Sequence, residues 1–213
     1  MKKIIFVILD FFNIPFRRVK TVLDKLPHSL PREAFDRDGF LCRQSVLKTA
    51  YFGVKPLSYN GCGIMALYNV LHAFGNDLPI GRLIERCRKS ALLGGRLGLS
   101  PRQIMRMAKD GFFTLLPRHG KPSDALPACD ALIHLYLRRH GTAHYVAGIA
   151  DDNGRFRFYN ADGADTKPRT WESYRAEMKT ANGNDRVIFE VVFPIRRASS
   201  GSPSAPGDTQ TAR

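Results

Sequence analysis

Among the four cysteines and six histidines of this chain, one of each stands where its chemistry could serve covalent catalysis. Cys62 lies in Tyr59-Asn60-Gly61-Cys62-Gly63, and His144 lies in Gly141-Thr142-Ala143-His144-Tyr145. A thiol attacks only as the thiolate, and with a free pKa of about 8.5 it needs local positive potential to ionise near neutrality. The N-terminus of a helix supplies such potential. From Cys62 onward, Ile64, Leu67, Tyr68 and Leu71 follow the spacing of one helical face, and Gly75 is placed to stop the helix. The glycines on either side of Cys62 suit a tight turn in which the backbone approaches a substrate closely. The competing reading is a core thiol, since free cysteine is among the most buried residue types.

His144 opens a strand pattern, and Asp152-Asn153-Gly154 reads as a hairpin turn returning through residues 155–159. A short hairpin brings His144 close to Asn160, whose amide carbonyl could fix the imidazole as the third member of a triad does. Asp162 could serve the same end, and the shortness of the turn favours Asn160. Against this stands a strand-end histidine merely bonded to a neighbouring carbonyl. His28, His72, His119, His134 and His140 read as structural or solvent-exposed. Cys42, Cys87 and Cys129 show no disulfide framework and no zinc spacing, so the expectation is a reducing compartment, with no metal and no cofactor.

Taken together, NGCG at a helix start, GLS before a second helix ending in KDG, and HYVAGI-ADDNG-RFRFYNADG resemble the papain-like cysteine peptidases over about residues 55–165. The branch most similar is that of the bacteriocin-processing, double-glycine leader peptidases. The resemblance implies an α+β fold in which a helical half carrying the cysteine packs against an antiparallel sheet carrying the histidine. It also implies roles: Cys62 as nucleophile, His144 as general base and acid, and Asn160 as the residue orienting the imidazole. Asparagine in that place is the papain form, where the leader peptidases usually show aspartate. The implied activity is hydrolysis of a peptide or isopeptide bond in a peptide or protein substrate, through an acyl-enzyme. Transfer of the same acyl group to an amine is the nearest alternative.

One departure from the family pattern bears on rate. Papain-like enzymes usually carry a glutamine six residues before the cysteine as an oxyanion donor, and here that position is Pro56, which has no donor to offer. Losing one such donor can lower a rate roughly a hundredfold to a thousandfold. Asn60 is the nearest amide that could replace it, with the backbone N–H of Cys62 as the second donor. Asn60 also fits a plain turn residue before glycine. A catalytically inactive binding module is therefore a reading from a different class.

The elements around these residues follow from pattern. Residues 80–91 read as an amphipathic helix with Leu83, Ile84 and Cys87 facing inward. Gly94 to Leu99 reads as a flexible glycine-rich segment, which the resemblance implies lines the cleft. Ser100-Pro101-Arg102-Gln103 reads as a capping-box start to a helix ending near Asp110 and stopped by Gly111. Residues 112–116, 131–137 and 187–195 read as strands and 170–179 as a helix, giving at least five mostly antiparallel strands in one domain over residues 31–196.

Both ends of the chain differ in composition from that domain. Residues 197–213 are Ser/Pro/Gly-rich and read as a disordered tail. Residues 1–30 begin with Lys2-Lys3 and a short apolar run broken by Asp10, Asn13 and Pro15. That segment is too short to span a bilayer and lacks a cleavage site, which leaves packing on the domain, a membrane-surface anchor, or secretion. The expected location is cytoplasmic, with peripheral attachment to an anionic membrane surface through this segment as its extension. The formal net charge is +14 among 213 residues, so polyanions attract the chain. Its basic residues, among them Arg82, Arg86, Arg88, Arg102, Arg106, Arg138 and Arg139, look scattered through every segment. No nucleic-acid motif accompanies them, which argues against nucleic acid as a specific partner.

Overall fold

The computed structural model of the chain describes residues 30–116, 126–138, 143–160, 167–181 and 187–198. His28, His119, Arg139, His140 and Asp162 lie outside them, as do nearly all of the N-terminal segment and the C-terminal tail.

The chain is a mixed α+β protein. Its first half is mostly helical: a small hairpin, β1 (Tyr51–Phe52) and β2 (Lys55–Pro56), leads into α1 (Leu57–Asn60), α2 (Cys62–Ala73), α3 (Ile80–Cys87) and α4 (Arg102–Lys109). The expected helix from Cys62 forms and ends as its sequence dictates. Gly75 is left-handed at φ 73, and the N–H groups of Gly75 and Asn76 return to the His72 and Leu71 carbonyls at 2.9 Å each. Helix α3 is shorter than its pattern. Beyond Cys87 the chain tightens into a 3-10 turn, Arg88–Ser90, because Ser90 is drawn inward to bond Gln103. That bond also undoes half of the expected capping box. Ser100 Oγ does accept the Arg102 N–H at 3.3 Å, but Gln103 turns into the core and accepts the Ser90 hydroxyl at 2.6 Å.

The second half builds a five-stranded antiparallel sheet from β3 (Thr114–Leu115), β4 (Ala131–Arg138), β5 (Ala143–Ala150), β6 (Phe156–Tyr159) and β7 (Val187–Arg196), with α5 (Trp171–Ala181) between the last two. The order is β3-β7-β4-β5-β6, so only β4, β5 and β6 neighbour in sequence, and β7 returns to the far side of β4. Strand β3 is shorter than the 112–116 pattern because the Phe112 N–H is spent capping α4, on the Met107 carbonyl at 3.1 Å.

Two apolar clusters hold the layers together, one on each face of the sheet. On one face α2 packs against Ile133, Leu135, Tyr145, Ala147 and Phe193. On the other, Trp171, Tyr174 and Met178 of α5 pack against Leu132, Tyr136, Val146 and Phe158. Covered from both sides, β4 reads ALIHLYLR with scarcely a polar interruption, as a strand with no solvent face should. Among the described residues no helix is long and apolar enough to cross a membrane.

Candidate active site

Helix α2 fixes the cysteine. It packs along β5, so Cys62 in its first turn lies beside the start of that strand, where His144 is the second residue. The approach is close. A Cβ on Gly63 would stand 2.7 Å from Leu99 Cβ and 3.3 Å from the Tyr145 ring, and one on Gly61 would stand 2.5 Å from the Leu57 carbonyl oxygen. Both glycines flanking the cysteine are therefore required by the protein's own packing rather than by room for a substrate, which revises the sequence expectation.

Cys62 is 7 % exposed, and its thiol is hydrogen-bonded to the His144 imidazole. Burial by itself would raise this thiol. The imidazole, together with the backbone N–H groups of Tyr145 and Gly63, outweighs burial and holds Cys62 below the ordinary thiol value. The other three cysteines are raised: Cys42 through burial and Asp36, Cys129 to about 11 and Cys87 to about 12, both chiefly by burial.

His144 Nε2 lies 2.6 Å from the Asn160 main-chain oxygen. A carbonyl can only accept, so Nε2 carries the proton and Nδ1 is the nitrogen left to receive one from the thiol. The expectation named the Asn160 side chain for this contact, and the structure uses its backbone. The pairing Ala147↔Tyr159 places the next residue, Asn160, level with Val146 and not with His144. At φ 62 Asn160 is left-handed, a conformation asparagine tolerates, and this swings its carbonyl back to the imidazole. Its amide then points elsewhere, donating to Gln44 Oε1 at 3.0 Å and to the Tyr145 carbonyl at 3.4 Å.

Asn60 does not supply an oxyanion donor. Its amide nitrogen is committed to the Phe52 carbonyl at 2.7 Å and to the Gly95 carbonyl, and the residue is 3 % exposed. It is a clamp between β1 and the Gly95 turn, which is itself interlocked with the hairpin: a Cβ on Gly53 would meet the Gly94 oxygen at 2.0 Å. Pro56 stands at the N-cap of α1.

Two contributors carry no motif that sequence reading could have found. Gln44 donates to the Leu57 carbonyl at 2.9 Å while accepting from Asn160, so it links the start of α1 to the residue that holds His144. It lies 116 residues from Asn160, and no local pattern signals a pair that distant. Tyr136, across the ladder from His144, sets its ring edge-on to the imidazole at 5.5 Å. The Tyr136↔His144 pairing is legible only once strand register is known. His72 and His134 are held in structural contacts, with Asp77 at 2.9 Å and with the Tyr174 hydroxyl at 3.1 Å. Among the described residues no His, Cys, Asp and Glu side chains group to hold a metal.

No protein-family model, curated protein or solved structure matches this chain.

Proposed function

We propose that the chain is a papain-like thiol hydrolase that cleaves a peptide or isopeptide bond through an acyl-enzyme on Cys62. The observation that carries this reading is the orientation of His144: Nε2 is spent on the Asn160 carbonyl at 2.6 Å while the ring is hydrogen-bonded to a thiol held below its ordinary pKa. The placement of a helix-borne cysteine over an antiparallel sheet bearing the histidine supports it further.

In this mechanism the Cys62 proton moves to His144 Nδ1 and the sulfur attacks the substrate carbonyl carbon. The tetrahedral intermediate collapses, the C–N bond breaks, and His144 returns the proton to the departing amine. Water then attacks the thioester, His144 takes its proton, and the C–S bond breaks to free the carboxylate. The oxyanion faces the backbone N–H of Cys62 in the first turn of α2, with no side-chain donor from position 56 or from Asn60.

That missing side-chain donor favours a second reading, an inactive module of the same fold that binds peptides. A cysteine-directed acyl electrophile separates the two. Near neutral pH it labels Cys62 alone, Cys62→Ala abolishes labelling, and His144→Ala slows it roughly tenfold or more. Equal labelling of wild type and Cys62→Ala would sink the hydrolase.

A further inference from the structure

The positive charge of this chain is not spread evenly once it is folded. Residues 80–110 carry eight lysines and arginines against Glu85 and Asp110, and all eight cations are exposed. The two acids are engaged within the same layer, Glu85 by Arg82 at 3.2 Å and Asp110 by Arg86 at 3.3 Å. By contrast, residues 143–181 hold six basic and six acidic residues, and Arg155, Arg169 and Arg175 there each meet a carboxylate. Five of the arginines that look scattered in sequence, Arg82, Arg86, Arg88, Arg102 and Arg106, thus stand with Lys89, Arg96 and Lys109 on α3, α4 and the turn between them, a layer that the Arg86–Asp110 pair ties together.

That turn is fastened to the wall of the candidate site. Its Gly95 carbonyl is held by Asn60, its Gly94 carbonyl accepts the Val54 N–H at 3.0 Å, and the Leu99 carbonyl just beyond accepts the Tyr145 hydroxyl at 2.9 Å. Arg96 and Leu97 sit at its tip, Leu97 being 51 % exposed, and Met105 on α4 is 48 % exposed. The layer therefore presents cations interspersed with apolar side chains and begins where the cysteine's wall ends.

We infer that this layer is the docking surface for an acidic polypeptide segment, which flanks the bond presented to Cys62. The inference rests on the peptide-hydrolase reading only for where that segment enters the site. Residues 80–110 contain no Phe, Tyr or Trp, and the adjoining Phe112 ring is covered by the Arg86 guanidinium at 4.8 Å, so single-stranded nucleic acid finds no open stacking platform there. Continuity with the site's wall is a property that a peptide substrate uses and that a lipid surface does not. Complementary charge of this kind acts mainly on encounter rate and falls steeply with salt.

The test measures fluorescence anisotropy of a labelled Glu/Asp-rich peptide containing Leu and Met, titrated with the full-length Cys62→Ala protein at low and at physiological ionic strength. Single-stranded RNA and phosphatidylserine vesicles serve as competing probes. The expected result is salt-sensitive peptide binding that the triple variant Lys89→Glu, Arg96→Glu, Lys109→Glu weakens about tenfold or more, with a flatter salt dependence. The neutral set Lys89→Gln, Arg96→Gln, Lys109→Gln shifts binding the same way by less, which guards against a folding defect in the reversed one. Unchanged peptide affinity in both variant sets, or tighter binding to RNA or vesicles than to peptide, overturns the proposal. Because binding is measured on Cys62→Ala and cleavage on wild type, binding by the variant with no cleavage by wild type would count against the hydrolase alone, whereas cleavage indifferent to acidic flanks would count against the docking surface alone.

Discussion

At the scale of single residues, the site turns on which atom of Asn160 touches His144. A side-chain carbonyl could be supplied by aspartate or glutamine chemistry, whereas a main-chain carbonyl depends on the backbone holding φ 62. Asn160→Gly keeps the left-handed conformation and should retain thiol-probe reactivity within about tenfold. Asn160→Val puts a branched side chain where it is strained by about 1–3 kcal/mol and should lose most reactivity while Cys62 remains present. The rate of Cys62 labelling in the two variants measures this directly. Equal loss in both would mean that the amide carries the function after all. The candidate nucleophile was legible from the sequence because glycines, helix periodicity and a histidine all sit in local patterns. The atom used by Asn160 was not, because it depends on one backbone torsion after β6 ends.

At the scale of elements, Asn60 and the two glycines beside Cys62 show how α2 is seated. Asn60→Ala would leave the Phe52 and Gly95 carbonyls without their donor, in a place where water has little access. The expected cost is about 1–3 kcal/mol, visible as a lower midpoint in urea denaturation. A variant of unaltered stability but much lower thiol reactivity would instead restore Asn60 as an oxyanion donor. Most elements in the described residues were readable in advance, because α2, α3 and α4 carry amphipathic or glycine-stopped patterns and β4 carries a continuous apolar run. Their ends were less so. Helix α3 stops early because Ser90 is recruited by Gln103, and β3 starts late because the Phe112 N–H caps α4. Both are tertiary competitions for a single hydrogen-bonding group.

At the scale of the whole molecule, the face of the sheet away from the cysteine carries a charged cluster that ties stability to pH. His134 is fully buried, with Nε2 at 3.5 Å from Glu190, and Arg175 pairs with the same carboxylate from α5. His134 and Arg175 hold Glu190 at about 2, against the opposing effect of burial. Burial holds His134 below its ordinary value of 6.5. The signs agree. A depressed carboxyl gives stability that is present above its unfolded value of 4.5 and is lost as pH falls from there through about 2. A depressed histidine is protonated first in the unfolded chain, so stability also declines as pH drops below 6.5. Thermal unfolding followed from about pH 7 to pH 3 should show a falling midpoint, with a shallower acid branch in Glu190→Gln. An identical acid branch in that variant would remove Glu190 as its source.

The sequence by itself determined the local facts: a cysteine opening a glycine-flanked helix, a histidine opening a strand, a hairpin turn beyond it, and a large positive charge. Each is written in a window of a few residues, where periodicity and turn chemistry act. Only the tertiary structure decided the relations between windows. It brought Gln44 to Asn160, spent the Asn60 amide on two carbonyls, inserted β7 between β3 and β4, and tied α3 to the end of α4 through Arg86 and Asp110. The physical reason is the same in each case: hydrogen-bonding groups and charges are satisfied by whatever packing brings near, and burial of the two apolar faces of the sheet sets that packing.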